Sequence, residues 1–170
     1  MLDELAVLNS GTSPDAGHRR LPAGLAGTLD LARVGMFGHS LRGATAAVAM
    51  TADRRILAGI DLDGSIVVSG LPTPGDQASQ AQVKRIAGAT AKKLGGRPFM
   101  IMTHGGHGPH DDTTLEGLWA NLSGRRLFLS LKDPGHYSYT DEEEFLSQLV
   151  RAGIIPPPWT GKPRSRRSAP

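Results

Sequence analysis

A chain of 170 residues, 39% hydrophobic and 21% charged, is one domain's worth of sequence and long enough for a real core. It has no cysteine, which excludes disulfides, thiolate catalysis and cysteine-based zinc sites, and no apolar run approaches the length of a membrane helix. The formal charge of +3 comes largely from Lys162, Arg164, Arg166 and Arg167, a short tail rather than a basic face with aromatic platforms, so no nucleic-acid partner is expected.

The opening MLDELAVLNSG is acidic and amphipathic, unlike a secretory leader; localisation stays open, and only the chain as it stands reads as cytoplasmic. Apolar residues at Leu2, Leu5, Ala6 and Leu8 have helical spacing, and Asn9-Ser10-Gly11 stops that helix. A polar loop with Pro14, Gly17, Pro22 and Gly24 follows. Leu31–Phe37 reads as a buried strand and Arg42–Ala52 as the helix behind it. Between them, Gly38-His39-Ser40-Leu41 forms a sharp turn with one serine at its apex. Ile56–Leu62 is a second strand, Ala78–Leu94 a helix, Pro98–Met102 a third strand and Thr114–Leu122 a short helix. Arg126–Leu131 is a fourth strand, and Asp141–Ala152 an amphipathic helix with Phe145, Leu146, Leu149 and Val150 on one side. Pro156-Pro157-Pro158 ends it, and the remainder, 159–170, is expected to be disordered. Apolar strands alternating with helices indicate an α/β fold with a mostly parallel sheet of about four strands.

In such sheets chemistry collects at the carboxyl ends of the strands. The first strand ends at Ser40 and the second at Asp61 and Asp63. The third gives His104, His107, His110, Asp111 and Asp112, and the fourth gives Asp133 and then Gly135-His136-Tyr137. Serine, acid and histidine thus arrive in the order of an α/β-hydrolase triad. Each has a plainer reading. Ser40 could be a helix N-cap, Asp63-Gly64 a turn signal, and His136 a loop histidine. Alternation along Ile60-Asp61-Leu62-Asp63 puts both aspartates on one side, so period leaves Asp61 in contention. Asp111 and Asp112 sit where an acid from the later strand would lie. His104, His107, His110, Asp111 and Asp112 are ligand types suited to zinc. Their Gly- and Pro-rich loop has no helical i, i+4 geometry to hold them, so no metal and no other cofactor is expected. Trp119 and Trp159 read as packing residues.

GMFGHSLRGATAAVAM, AGIDLDGSI, RPFMIMTHGGHGP and DPGHYSYTD together resemble the bacterial α/β-hydrolases related to platelet-activating-factor acetylhydrolases, with dienelactone-hydrolase-like and polyester-hydrolase relatives nearby. The resemblance runs from about Leu2 to about Pro158. It implies a partial α/β-hydrolase catalytic domain over 1–158 that acts on a small-molecule ester or lipid through an acyl-enzyme. It implies Ser40 as nucleophile, Asp63, 23 positions later, as acid, and His136 as base. The backbone N–H of Leu41 would be one oxyanion donor.

Two departures from that family follow. Arg42 stands where the G-x-S-x-G pattern has its last glycine. The elbow also comes at residue 40, with the first four strands of the family's fold missing before it, as a fragment would have. The loop after the third strand normally supplies a second oxyanion donor, and losing one donor costs on the order of 10²–10³ in kcat. The 31–37 strand would be left as an apolar edge open to pairing with another chain. The expectation is weak activity and possible self-association through that edge.

Overall fold

The protein is described from a computed structural model that covers residues 1–12, 17–65, 77–132 and 135–154. The elements follow in order α1 (Leu2–Ser10), β1 (Val34–His39), α2 (Leu41–Ala52), β2 (Ile56–Leu62), α3 (Gln77–Lys93), β3 (Phe99–Thr103), α4 (Thr113–Asn121) and β4 (Arg126–Ser130). A 3₁₀ turn (His136–Tyr139) and α5 (Glu142–Arg151) complete the set. The strands form one four-stranded parallel sheet in the order β1-β2-β3-β4. The fold is therefore α/β, as the alternating pattern predicts.

Element boundaries differ from the sequence reading where side chains compete with the backbone. Leu31, Ala32 and Arg33 are not strand. Asp30 takes the Ala32 N–H on Oδ1 and the Arg33 guanidinium on Oδ2, which holds a turn there. The strand starts at Val34 and runs on to His39, carrying the chain directly into Ser40. α1 runs two residues past Leu8, to Ser10, and closes on Gly11 at φ 71, the left-handed cap that glycine adopts freely. The 3₁₀ turn through His136 had no signal in the hydrophobic pattern. The loop residues 66–76, Asp133 and the basic tail lie outside the described residues.

Register decides which side chains share a face. Phe37 aligns with Ile60, Ile60 with Met100 and Met100 with Leu127. One position away, Gly59 aligns with Phe99, and Asp61 with Ile101. The second set faces the core. Ala44, Ala47 and Met50 of α2, Ala87 and Ala91 of α3, and Leu115 and Leu118 of α4 pack there with Phe99 and Ile101. Small alanines on α2 let that helix lie close to β1 and β2, and α3 packs closely on α4, where Gly117 meets the Lys84 backbone. Leu2 and Leu5 bring α1 against the same cluster. α5 keeps Phe145 largely exposed despite its amphipathic pattern. No helix among the described residues is long and apolar enough to cross a membrane.

Candidate active site

Ser40 joins β1 to α2 at φ 57 and ψ −127, a conformation an L-residue adopts only when its surroundings enforce it. The enforcement is visible. Its N–H donates to the Leu62 carbonyl at 2.8 Å, and its own carbonyl accepts from Gly43 N at 2.9 Å and Ala44 N at 3.3 Å. The side chain makes no helix-capping hydrogen bond, so the plain N-cap reading of Ser40 does not hold. Its Oγ points instead at His136 Nε2, 3.0 Å away.

His136 Nδ1 lies 2.5 Å from Asp63 Oδ2. A carboxylate only accepts, so Nδ1 carries the hydrogen and Nε2 is left to accept from the Ser40 hydroxyl. Three residues from three strand ends therefore form one hydrogen-bonded line, although 96 positions separate Ser40 from His136. His136 is held on its other side by His39, whose Nε2 donates to the His136 carbonyl at 2.7 Å with the rings 4.5 Å apart. The sequence reading assigned His39 no role. Its only signal was adjacency to the serine. Tyr139, one turn on, donates its hydroxyl to the Thr103 carbonyl at 2.7 Å, tying the 3₁₀ turn to the end of β3. Burial pushes that phenol up to about 12.

Asp63 follows the last residue of β2 at φ 56, a left-handed conformation that Asp tolerates better than most residues. Its side chain is fully buried. Burial acts to raise its carboxyl, but hydrogen bonds from His136 and from the His104 ring and backbone outweigh that and hold it below the usual range. His104 Nδ1 sits 2.8 Å from both Asp63 oxygens, and His107 Nδ1 is 3.4 Å from Oδ1. Three imidazoles thus surround one carboxylate.

The other candidate acids lie elsewhere. Asp61 points beneath the elbow, fully buried, and its Oδ1 accepts from Gly64 N at 2.8 Å. Its Oδ2 has no partner. A Cβ on Gly43 or on Gly64 would strike the Asp61 carboxyl, so these two glycines make the space it occupies. Burial, with added repulsion from Asp63 and Asp112, pushes Asp61 up to about 8, so it is a neutral acid at pH 7. Asp112 caps α4, accepting from Thr114 N at 2.7 Å and Leu115 N at 3.1 Å. Asp111 and His110 are exposed.

The loop cluster seen in sequence therefore divides. His104 and His107 join Asp63, Asp112 caps a helix, and the other two face water. Arg42 is exposed and leaves the turn undisturbed, because the close approach is made by Gly38, whose added Cβ would lie 2.6 Å from the Arg42 backbone. Leu41 opens α2, so its N–H has no partner within the helix. Trp119 packs edge-on to Phe128 with Arg126 over its ring, in keeping with a packing role. Ser40, Leu41, Asp63, Ser65, His104, His107 and His136 line a cleft of about 240 Å³.

No protein-family model and no curated protein matches the chain. Among solved structures, a ferulic acid esterase from Streptomyces cinnamoneus is similar, with 25% identity and a TM-score of 0.55 over 92% of this chain and 38% of the esterase. The chain thus spans well under half of that enzyme's length. DcsB in complex with its substrate analogue is 15% identical with a TM-score of 0.42, over 91% of this chain and 72% of that one, a level that carries no argument. The chain has an esterase-like α/β fold. The likeness does not reach the acetylhydrolase or dienelactone-hydrolase families in particular.

Proposed function

We propose that this chain carries the catalytic centre of a serine-dependent carboxylic ester hydrolase. The observation that supports it most is the line Ser40–His136–Asp63, set on a strained elbow that holds a hydroxyl clear of other duties. In this reading Ser40 Oγ attacks the ester carbonyl while its proton passes to His136 Nε2. Asp63 holds the imidazole in the Nδ1–H tautomer and stabilises the imidazolium that forms. The tetrahedral oxyanion is met by the Leu41 N–H, at the positive end of α2. Its collapse expels the alkoxide, which takes the proton from His136 and leaves as the alcohol. Water then adds to the acyl-serine with His136 again as base, releasing the acid and restoring Ser40.

Alkoxides leave more readily than amines, which favours esters over amides, and the small cleft suits a short acyl group, as the acetylhydrolase-like resemblance implies. The similar structure is a ferulic acid esterase, so methyl ferulate belongs beside p-nitrophenyl acetate as a test substrate. The measurement is initial rates for the full chain and for Ser40→Ala. The reading expects hydrolysis by the first and its loss in the second. Equal rates would overturn it and leave a hydrolase-like module without this chemistry.

A further inference from the structure

Asp63 has more imidazoles around it than a serine–histidine–acid line uses. His136 takes Oδ2. On the Oδ1 side, His104 Nδ1 stands at 2.8 Å and His107 Nδ1 at 3.4 Å. One ligand atom from each of Asp63, His104 and His107 falls within 4.8 Å of the others, and the two rings stack with centroids 4.9 Å apart. Two imidazole nitrogens and one carboxylate oxygen are a ligand set for zinc and its neighbours.

The second observation is the outer face of His107. Its Nε2 lies 3.2 Å from Asp112 Oδ2. That carboxylate only accepts, so Nε2 carries the hydrogen and Nδ1 presents a lone pair. This lone pair points at Asp63 Oδ1, another acceptor. In a neutral imidazole the two acceptors face each other with no proton between them, and a cation in the gap resolves the conflict. Asp112 is itself anchored by the first turn of α4 and by the Ser65 hydroxyl at 2.5 Å. A buttressed carboxylate on the far nitrogen is what orients metal-binding histidines. His104 needs only to move its proton from Nδ1 to Nε2.

We propose that Asp63, His104 and His107 bind one divalent cation of the zinc class, with Asp112 as the outer partner of His107. Water fills the fourth position. The cation draws charge from Asp63 Oδ1 and weakens its support of His136, so zinc inhibits reversibly. That consequence rests on the ester-hydrolase reading above, and the binding does not.

Equilibrium dialysis of the full chain against zinc chloride tests it, with cobalt as a visible-absorption probe. The expected result is one equivalent bound, with the intense cobalt bands of tetrahedral coordination. His104→Ala combined with His107→Ala loses that equivalent. Asp112→Asn keeps a competent helix cap and weakens binding by about 10–100-fold. Ser40→Ala binds zinc like the unaltered chain. Should the double variant fail to fold, imidazole nitrogen NMR of the unaltered chain decides: zinc must move the His104 and His107 Nδ1 signals and leave His110 unchanged. An equivalent retained by the folded double variant overturns the proposal, as do shifts confined to other histidines. Zinc binding by a chain without esterase activity sinks the hydrolase reading alone. Esterase activity without zinc binding sinks the metal site alone.

Discussion

On the face of the sheet that carries α2, α3 and α4, Phe99 and Ile101 keep 2% and 0% of their surface, whereas on the opposite face Phe37, Leu127 and Leu129 keep 70%, 50% and 41%. Residue type does not separate the two. Topology does. A crossover between parallel strands is right-handed in nearly all proteins, so strands added in one direction carry every connecting helix to one side. The order β1-β2-β3-β4 never reverses. Parallel sheets are ordinarily covered on both faces, and among the described residues this one has its core on a single face.

The same asymmetry places the candidate site. Asp61, Asp63 and Thr103 belong to the covered face and are buried, and the hydrogen bonds of the site converge there. The open face meets the site through the ring of His39, which follows Phe37 by two positions along β1 and shares its side of the strand.

The sharpest way to break the comparison is to truncate equivalent side chains on the two faces. Phe99→Ala should cost about 3–5 kcal/mol by urea unfolding, because it leaves a cavity beside Gly59 of β2 and Met50 of α2. If Leu127→Ala costs as much, the open face is covered in solution and the contrast is wrong.

Asp61→Asn probes the buried acid on the covered face. Between about 4 and about 8 the folded chain holds a proton that the unfolded chain, with its carboxyl at 3.8, releases. Stability therefore falls as pH rises through that window and levels off above it, with a slope of at most about 1.4 kcal/mol per pH unit from this group. The asparagine variant should lack that slope, gaining on the parent toward pH 8. Parallel stability curves from pH 4 to 9 would show that Asp61 is ionised in the folded protein.

The smallest effect belongs to the open face. Leu127→Ser and Leu129→Ser should each change stability by less than about 1 kcal/mol and lower the fluorescence of an apolar dye bound to the native chain. A dye signal that both variants leave unaltered would mean the face is already shielded.

Much of this architecture was legible from local pattern. The apolar runs LAGIDL, FMIM and LFLSL mark β2, β3 and β4 because the strands of a parallel sheet are nearly continuous in apolar residues. The tight turn from strand to helix was legible in Gly38-His39-Ser40 before an alanine-rich segment. Contacts made by side chains were not legible in that way. Asp30 turned the start of the first predicted strand into a turn, a side-chain effect that hydrophobic periodicity does not register. His39 and His107 gained their contacts from residues far along the chain, His136 and Asp63, and no spacing rule joins them.

Asp61 and Asp63 state the division most plainly. The order Ser40, Asp63, His136 at successive strand ends was written in the sequence, as was the fact that both aspartates face one side of β2. A period of two assigns a side and nothing else. Depth was decided by the tertiary structure. Asp61 lies under the elbow in the space left by Gly43 and Gly64, where desolvation keeps its proton on. Asp63 lies one step past the strand, where hydrogen bonds from His136 and His104 hold its carboxyl below the usual range. The same residue type, two positions apart, becomes a neutral acid in one case and an anion in the other, because charge is set by neighbours that only the fold assembles.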